Sequence, residues 1–300
     1  MHKSDIATVL ALGSAALIAV GDVFQQHSAH HVTDEQVGHI GLLLRLLKDR
    51  QWWLGSALAA GGFALQAAAL SLSSVLLVQA LLVTSLLFAL PLSARYAGRR
   101  ITRAQWMWAV VLAAAVTVVV TVGNPSKGQA RGSWEIWVWV LALGIPLLVA
   151  AIAIAGVRSG TPLAAVLLGL AAGSLWGVFA VLTKSVVDQL GSGIWRLLRL
   201  PELWAWVAVS LTATTLQQSS FRAGSMAASL PAVTVSEPLV GSALGIVVLG
   251  EVLRPGESGW FGLALAVIAM VLAMVMLARG EAISHTGRPA SAHRRWVPPS

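Results

Sequence analysis

Nine apolar stretches, each long enough to cross a lipid bilayer as a helix, constrain this chain more than any other feature. A bilayer core needs about 20 consecutive apolar residues per helix. Only 11% of the 300 residues are charged, whereas a soluble domain carries roughly 25%, so most of the surface is expected to face lipid. The predicted fold is an all-α, polytopic membrane helical bundle. The predicted spans are 5–27, 51–72, 74–95, 104–123, 134–156, 162–187, 202–222, 227–250 and 257–279.

Two further segments do not fit a span. Segment 36–48 is too short to cross, and Arg45 and Lys48 interrupt its leucines. This pattern predicts an amphipathic helix in the membrane interface or a leucine-rich helix docked on the bundle, and whether it enters the membrane is left open. Residues 280–300 combine arginines with prolines, which is typical of a disordered tail.

The distribution of lysine and arginine predicts an orientation. With nine spans, one side of the membrane receives 13 of these residues and the other receives 7. Basic residues are enriched in cytoplasmic loops, so we expect the N-terminus outside and the C-terminus in the cytoplasm of a bacterial inner membrane. The net charge of +8 is scattered over short loops and not gathered on one face, so no nucleic-acid partner is expected.

An internal repeat relates the two halves of the chain at an offset of 151 residues without a gap. Its most informative matches pair Arg45 with Arg196, Trp53 with Trp204 and Gln66 with Gln217. Five spans separate repeat mates, and five is odd, so the halves are predicted to have opposite topology, as in alternating-access transporters. The predicted units are a first repeat at 1–133, a linking span at 134–156, a second repeat at 157–279 and the tail.

Several motifs carry a resemblance to a known family. In the first half they are WWLG at 52–55 and the polar helix pair at 61–84, and in the second they are SLP at 229–231, SEP at 236–238 and LGE at 249–251. On these motifs the chain resembles the drug/metabolite transporter superfamily, in its EamA-like and NIPA-like branches. The resemblance implies paired helical repeats and secondary transport or facilitated flux of small solutes.

The NIPA-like branch is associated with magnesium, and the resemblance extends to it only in part. Its members tend to carry an acidic residue near the position of Gly62 and a proline near that of Gln79, and this sequence has neither. The departure weakens the magnesium interpretation and leaves the superfamily resemblance in place.

Polar residues inside predicted spans are the candidates for a solute or ion pathway, because an ionisable group in hydrocarbon needs a partner or a wet cavity. Glu237, next to Ser236, lies between Pro231 and Pro238, whose rings remove amide donors and free nearby carbonyls. It could bind a cation, carry a proton or form a structural ion pair. The other candidates are Gln66, Gln217, Gln218, Asp22 and Trp176.

Each of these candidates also has a structural interpretation. The glutamine amides suit a neutral or zwitterionic solute, or bond between helices. Trp176 could stack on an organic cation, or simply pack. Asp22 could lie in the pathway or extend to the interface, and Lys184 is expected to extend to the outer interface.

The sequence therefore predicts a secondary transporter of a small solute or metabolite. The alternatives are a divalent-cation transporter and a non-transporting membrane scaffold. The chain has no cysteine and no nucleotide-binding or hydrolase motif, so no enzymatic activity, cofactor or metal site is expected. The expected partners are a small molecule or ion and the lipid bilayer, and a homodimer is left open.

Overall fold

The computed structural model describes residues 3–32, 49–96, 100–223, 226–256 and 259–286. Segment 36–48, the predicted interfacial helix, lies outside them. The regular structure of the described residues is helical, apart from one antiparallel bridge between Ser126 and Val252 and a 3-10 turn at Leu190–Ser192. The α-helices are α1 (Lys3–Val32), α2 (Arg50–Leu72), α3 (Val75–Leu82), α4 (Ser85–Tyr96), α5 (Arg103–Thr121), α6 (Trp134–Val157), α7 (Pro162–Val187), α8 (Ile194–Leu198), α9 (Pro201–Ala223), α10 (Met226–Leu249) and α11 (Gly259–Thr286).

Eight of the helices in the described part of the chain are long and apolar enough to cross a membrane, where α3 and α4 together count as one, Val75–Arg95. The predicted all-helical membrane bundle is thereby confirmed. The clearest case is α6, whose mean hydropathy is 2.7. Among its residues only Ala155 is buried, and Leu143 and Leu147 are 68% and 61% exposed. Such a surface is stable against lipid and not against water.

The ninth predicted span, 202–222, falls on α9. This helix has 23 residues, enough to cross, but it is too polar to count among the eight. Four of its hydroxyl groups are satisfied within the helix, because each of them donates to a carbonyl four residues earlier, which lowers the penalty for placing them in an apolar medium. These bonds start from Thr212, Thr214, Thr215 and Ser219.

Glycines set the close approach of two helix pairs. A Cβ on Gly21 of α1 would come within 2.7 Å of Gly55 O on α2. A Cβ on Gly177 of α7 would come within 2.7 Å of Gly241 N on α10, and one on Gly173 would overlap Ser236 Oγ. Small residues let helix backbones approach closely, so these positions fix the pairs α1–α2 and α7–α10.

The contacts also give the helix directions. Phe63 of α2 stacks on Trp176 of α7, and further along both helices Leu70 O accepts a bond from Lys184, so α2 and α7 run in the same direction. α3 runs against α10, because Gln79 lies by Gly241 and Val75 lies by Gly245.

Two further helix pairs also run in opposite directions. α1 runs against α2, because a Cβ on Gly62 would touch Ile18 and one on Gly13 would touch Leu65. α9 runs against α7, since Trp176 bonds to Gln217 and Thr183 bonds to Trp206.

Two boundaries differ from the prediction. The predicted span 74–95 is interrupted at Val83 and Thr84, which separate α3 from α4. The disordered tail is predicted to start at residue 280, whereas α11 continues to Thr286. The first proline after residue 280 is Pro289, so no proline ends the helix before that point.

Candidate functional site

The bundle encloses a cavity of about 410 Å³ between its first half, α1 to α5, and its second half, α7 to α11. The lining residues come from α1, α2, α3 and α4 on one side and from α7, α9 and α10 on the other. The cavity lies toward the end where α1 ends and α2 begins, and we call this the open end. There Gln25 toward the end of α1 and Trp52 near the start of α2 line it and are partly exposed, and Asp22, one turn deeper on α1, is exposed.

Two carboxylates give the cavity its electrostatic character. Asp22 from α1 and the half-buried Glu237 from α10 both line it, and they lie close enough for their charges to repel. No lysine, arginine or histidine is among the described residues that line it. With acidic groups from both halves and no basic lining residue, the cavity attracts positive charge.

An aromatic wall stands beside these carboxylates. The rings of Phe63 and Trp176 stack with centroids 5.3 Å apart, and Phe179 meets Trp176 edge to face at 5.2 Å. Trp176 Nε1 donates to Gln217 Oε1 at 2.7 Å, which fixes both side chains at the cavity surface. The wall can hold an apolar or flat part of a solute, or a cation over a ring face.

Five of the seven residues predicted from sequence line this cavity, and two do not. The lining residues are Asp22, Trp176, Gln217, Gln218 and Glu237. Gln66 is only 1% exposed and lies in the packed face of α2, outside the lining. Ser236 is buried against α7, and its hydroxyl donates back to Ala232 O at 2.7 Å. The face that a polar residue presents is set by packing, which its position in a span does not determine.

One lining residue that sequence reasoning missed is Gln79 of α3, which is fully buried. It is the only polar residue in VLLVQALLV, residues 75–83. An isolated amide in an apolar run is itself a signal of a pathway.

The opposite end of the bundle, where α2 and α10 end and α3 begins, is closed, and we call it the sealed end. Beneath the cavity the side chains of Leu70, Val75, Val78, Val181 and Leu249 are all 0% exposed and pack in one cluster. These residues come from both halves of the bundle. This packed layer separates the cavity from the loops at the sealed end.

Charged groups cap helix ends just beyond that layer. Glu251 accepts from Val75 N at 2.6 Å and from Leu76 N at 2.8 Å, so it caps the start of α3. Burial raises the pKa of the Glu251 carboxyl, whereas these two N–H donors and the nearby Lys184 ammonium stabilise its charged form.

Lys184 is 3% exposed and donates to Leu70 O at 2.6 Å near the end of α2. The expected extension of Lys184 to the interface is therefore wrong, because its ammonium finds a carbonyl and Asp188 Oδ2 inside the protein, the latter at 3.5 Å. We call Glu251 and Lys184 the clasp.

The loop between α5 and α6 covers the clasp. Gln129 N donates to Leu249 O at 2.6 Å, and Arg254 N donates to Gly123 O at 2.8 Å. Lys127 Nζ donates to Ser71 O at 3.2 Å. The two backbone bonds join the first half to the second, whereas the Lys127 bond ties the loop to the end of α2, so the sealed end is held by backbone pairing as well as by the clasp.

The helices and the cavity define an integral membrane protein with an acidic, partly aromatic cavity between two halves of a helical bundle. The chain is 34% identical over 280 residues to an uncharacterized protein of Corynebacterium glutamicum, covering 93% of this chain and 96% of that protein. It therefore belongs to the same family as that protein. No family model matches the chain, and no solved structure matches it.

Proposed function

We propose that this protein is a secondary transporter that moves a small solute across the membrane by alternating access. One observation carries the proposal: the cavity between the two halves is open at one end and closed at the other by a packed layer and a clasp. A scaffold has no need for a cavity with carboxylates at membrane depth, since such groups are unfavourable there and typically mark a solute or ion pathway.

Nine spans in two inverted repeats are part of the proposal. Helix pairs in the first half have counterparts in the second, because α1 packs on α2 and on α3–α4, while α7 packs on α9 and on α10. α5 of the first half packs on α11 of the second. The alternating helix directions support a crossing by α9 as well. This arrangement supports the resemblance to the EamA-like branch of the drug/metabolite transporter superfamily, which we retain as a proposal.

In our proposal the open end faces the cytoplasm. With nine spans, 13 of the 20 lysines and arginines are predicted on that side, which supports an N-terminus outside and a C-terminus inside a bacterial inner membrane. The pathway residues are Glu237 and Asp22 as cation- or proton-binding groups, with Gln217, Gln218 and Trp176 forming the wall.

A divalent-cation transporter is the second candidate, and the two cavity carboxylates favour it. Mg²⁺ keeps several waters and binds through one or two carboxylates, so Asp22 and Glu237 could serve it without further protein ligands. Among the described residues no group of three or more His, Cys, Asp or Glu side chains is placed to hold a metal ion. An organic solute uses the aromatic wall as well, and we prefer it for that reason.

The test is a flux assay with purified protein in proteoliposomes, using imposed pH and Mg²⁺ gradients and a panel of radiolabelled amines, amino acids and amides. We expect protein-dependent accumulation of at least one panel solute, driven by one of the gradients. Uptake of Mg²⁺ alone would favour the second candidate. Absence of any flux would favour a scaffold, and conversion of a solute without its movement would indicate an enzyme.

A further inference from the structure

Gln79 has an unusual position for an amide. Its side chain is 0% exposed, lines the cavity, and neither Nε2 nor Oε1 has a hydrogen-bond partner among the described residues. A buried polar group without a partner typically destabilises a protein by about 1–3 kcal/mol, so most are paired. An amide with both ends unpaired beside a cavity is suited to a solute that supplies the missing partners once the buried side chain turns toward the cavity.

Gly241 of α10 makes room for this amide. A Cβ on Gly241 would overlap Gln79 Nε2 and come within 3.0 Å of Gln79 Cδ. Gly241 follows Glu237 by four residues, so both lie on the same face of α10. One helical turn of four residues rises by about 6 Å, so the amide lies about one turn deeper in the bundle than the carboxylate.

Part of the cavity wall is apolar. Phe63 and Trp176 both line the cavity and stack on each other, and Trp176 Nε1 is already paired with Gln217. The cavity thus offers an anionic group, a flat apolar surface and, one turn deeper, an amide that can donate and accept.

We propose that Gln79, held in place by the gap at Gly241, recognises the solute, and that the solute is a small organic cation with an amide-like group on the far side of a flat apolar part. The ammonium binds at Glu237 and Asp22, and the amide-like group pairs with both ends of Gln79. This inference rests on the proposed function, since it assigns a substrate class to the same cavity.

Three matched probes separate the two polar contacts. The first is 4-(aminomethyl)benzamide, which carries an ammonium, a ring and an amide. In 4-methylbenzylamine a methyl group replaces the amide, and in 4-methylbenzamide a methyl group replaces the aminomethyl group. Binding to the purified full-length protein is measured by isothermal titration calorimetry. Because two hydrogen bonds distinguish the first probe from the second, we expect it to bind about tenfold more tightly.

Substitutions at Gln79 and Gly241 then test the assignment. Gln79→Leu should remove the tenfold preference and leave the affinity for 4-methylbenzylamine unchanged. It should not lower the melting temperature, because it replaces two unpaired polar atoms with apolar ones. Gly241→Ala should also remove the preference by displacing the amide while Gln79 remains. Gly144→Ala is the matched control, because a Cβ there meets nothing within 4 Å.

Two results would overturn the inference. One is a Gln79→Leu variant that melts at a lower temperature and keeps the preference, since Gln79 would then be a structural residue. The other is a wild-type protein that binds the first probe no better than either of the others. Neither result contradicts the transport proposal. That proposal fails separately if the probes bind as expected and the flux assay detects no solute movement.

Discussion

At the residue scale, Glu237 is the side chain on which transport should depend most. It lines the cavity from α10 beside Pro238, and the described lining includes no basic side chain that could hold it as a structural ion pair. A carboxylate in such a place is available to a cation or a proton.

We therefore predict that Glu237→Gln keeps the free energy of unfolding within about 0.5 kcal/mol of wild type, because shape and volume are preserved. Ion-coupled flux in proteoliposomes should fall to the level of empty liposomes. Glu135→Gln is the control, since Glu135 is exposed in the first turn of α6. A variant that melts early but still transports would instead place Glu237 in a structural ion pair.

At the scale of the helical element, Glu251 links the end of α10 to the start of α3. Its carboxylate accepts from two backbone N–H groups that have no partner within α3, and each bond is charge-assisted. The contact joins residues 175 and 176 positions apart, so it holds the two halves together as well as capping a helix.

Glu251→Gln should lower the free energy of unfolding by about 2 kcal/mol, because the amide keeps one acceptor and turns its NH₂ toward a second donor. The measurement is thermal unfolding of the detergent-solubilised protein. Glu202→Gln breaks the partly exposed ion pair with Arg131, and it should change stability by less than about 1 kcal/mol. Equal losses of unfolding free energy from the two substitutions would show that the Glu251 contact stabilises the protein no more than a partly exposed ion pair does.

Much of the element scale could be predicted from sequence, because span length and hydropathy are local properties. Eight predicted spans coincide with apolar helices to within a few residues. The break between α3 and α4 could not be predicted, since Val83 and Thr84 carry no glycine or proline signal. Nor could the burial of Lys184, which depends on a carbonyl 114 positions away. Contacts of this kind are set by tertiary packing.

At the scale of the whole molecule, the number of crossings decides on which side each terminus lies. Eight crossings put both termini on one side, whereas nine put them on opposite sides. The helix directions favour nine, because α9 runs against α7 and returns the chain to the open end before α10 begins.

The native chain has no cysteine, so single cysteines report topology without background. With His2→Cys and Pro298→Cys, a membrane-impermeant maleimide added to intact cells should label position 2 and not position 298. Labelling both positions in permeabilised cells is the control for reactivity. Finding the two positions on the same side of intact membranes would contradict nine spans.

Alternating access makes a further prediction that joins the cavity to the clasp. Ser56→Cys on α2 and Thr234→Cys on α10 place thiols on the cavity wall from the two halves. Because the packed layer under the cavity closes the sealed end, an impermeant maleimide should reach both thiols from the cytoplasmic side of inverted vesicles. Intact cells should show little labelling.

Adding Glu251→Gln to either cysteine variant weakens the clasp, so it should raise labelling from the outside several-fold while labelling from the cytoplasmic side falls. Ala130→Cys, in the exposed loop at the sealed end, should be labelled from outside in every background and so controls for access to that face. If Glu251→Gln lowers stability and leaves the side of labelling unchanged, the clasp holds the fold together but does not gate it.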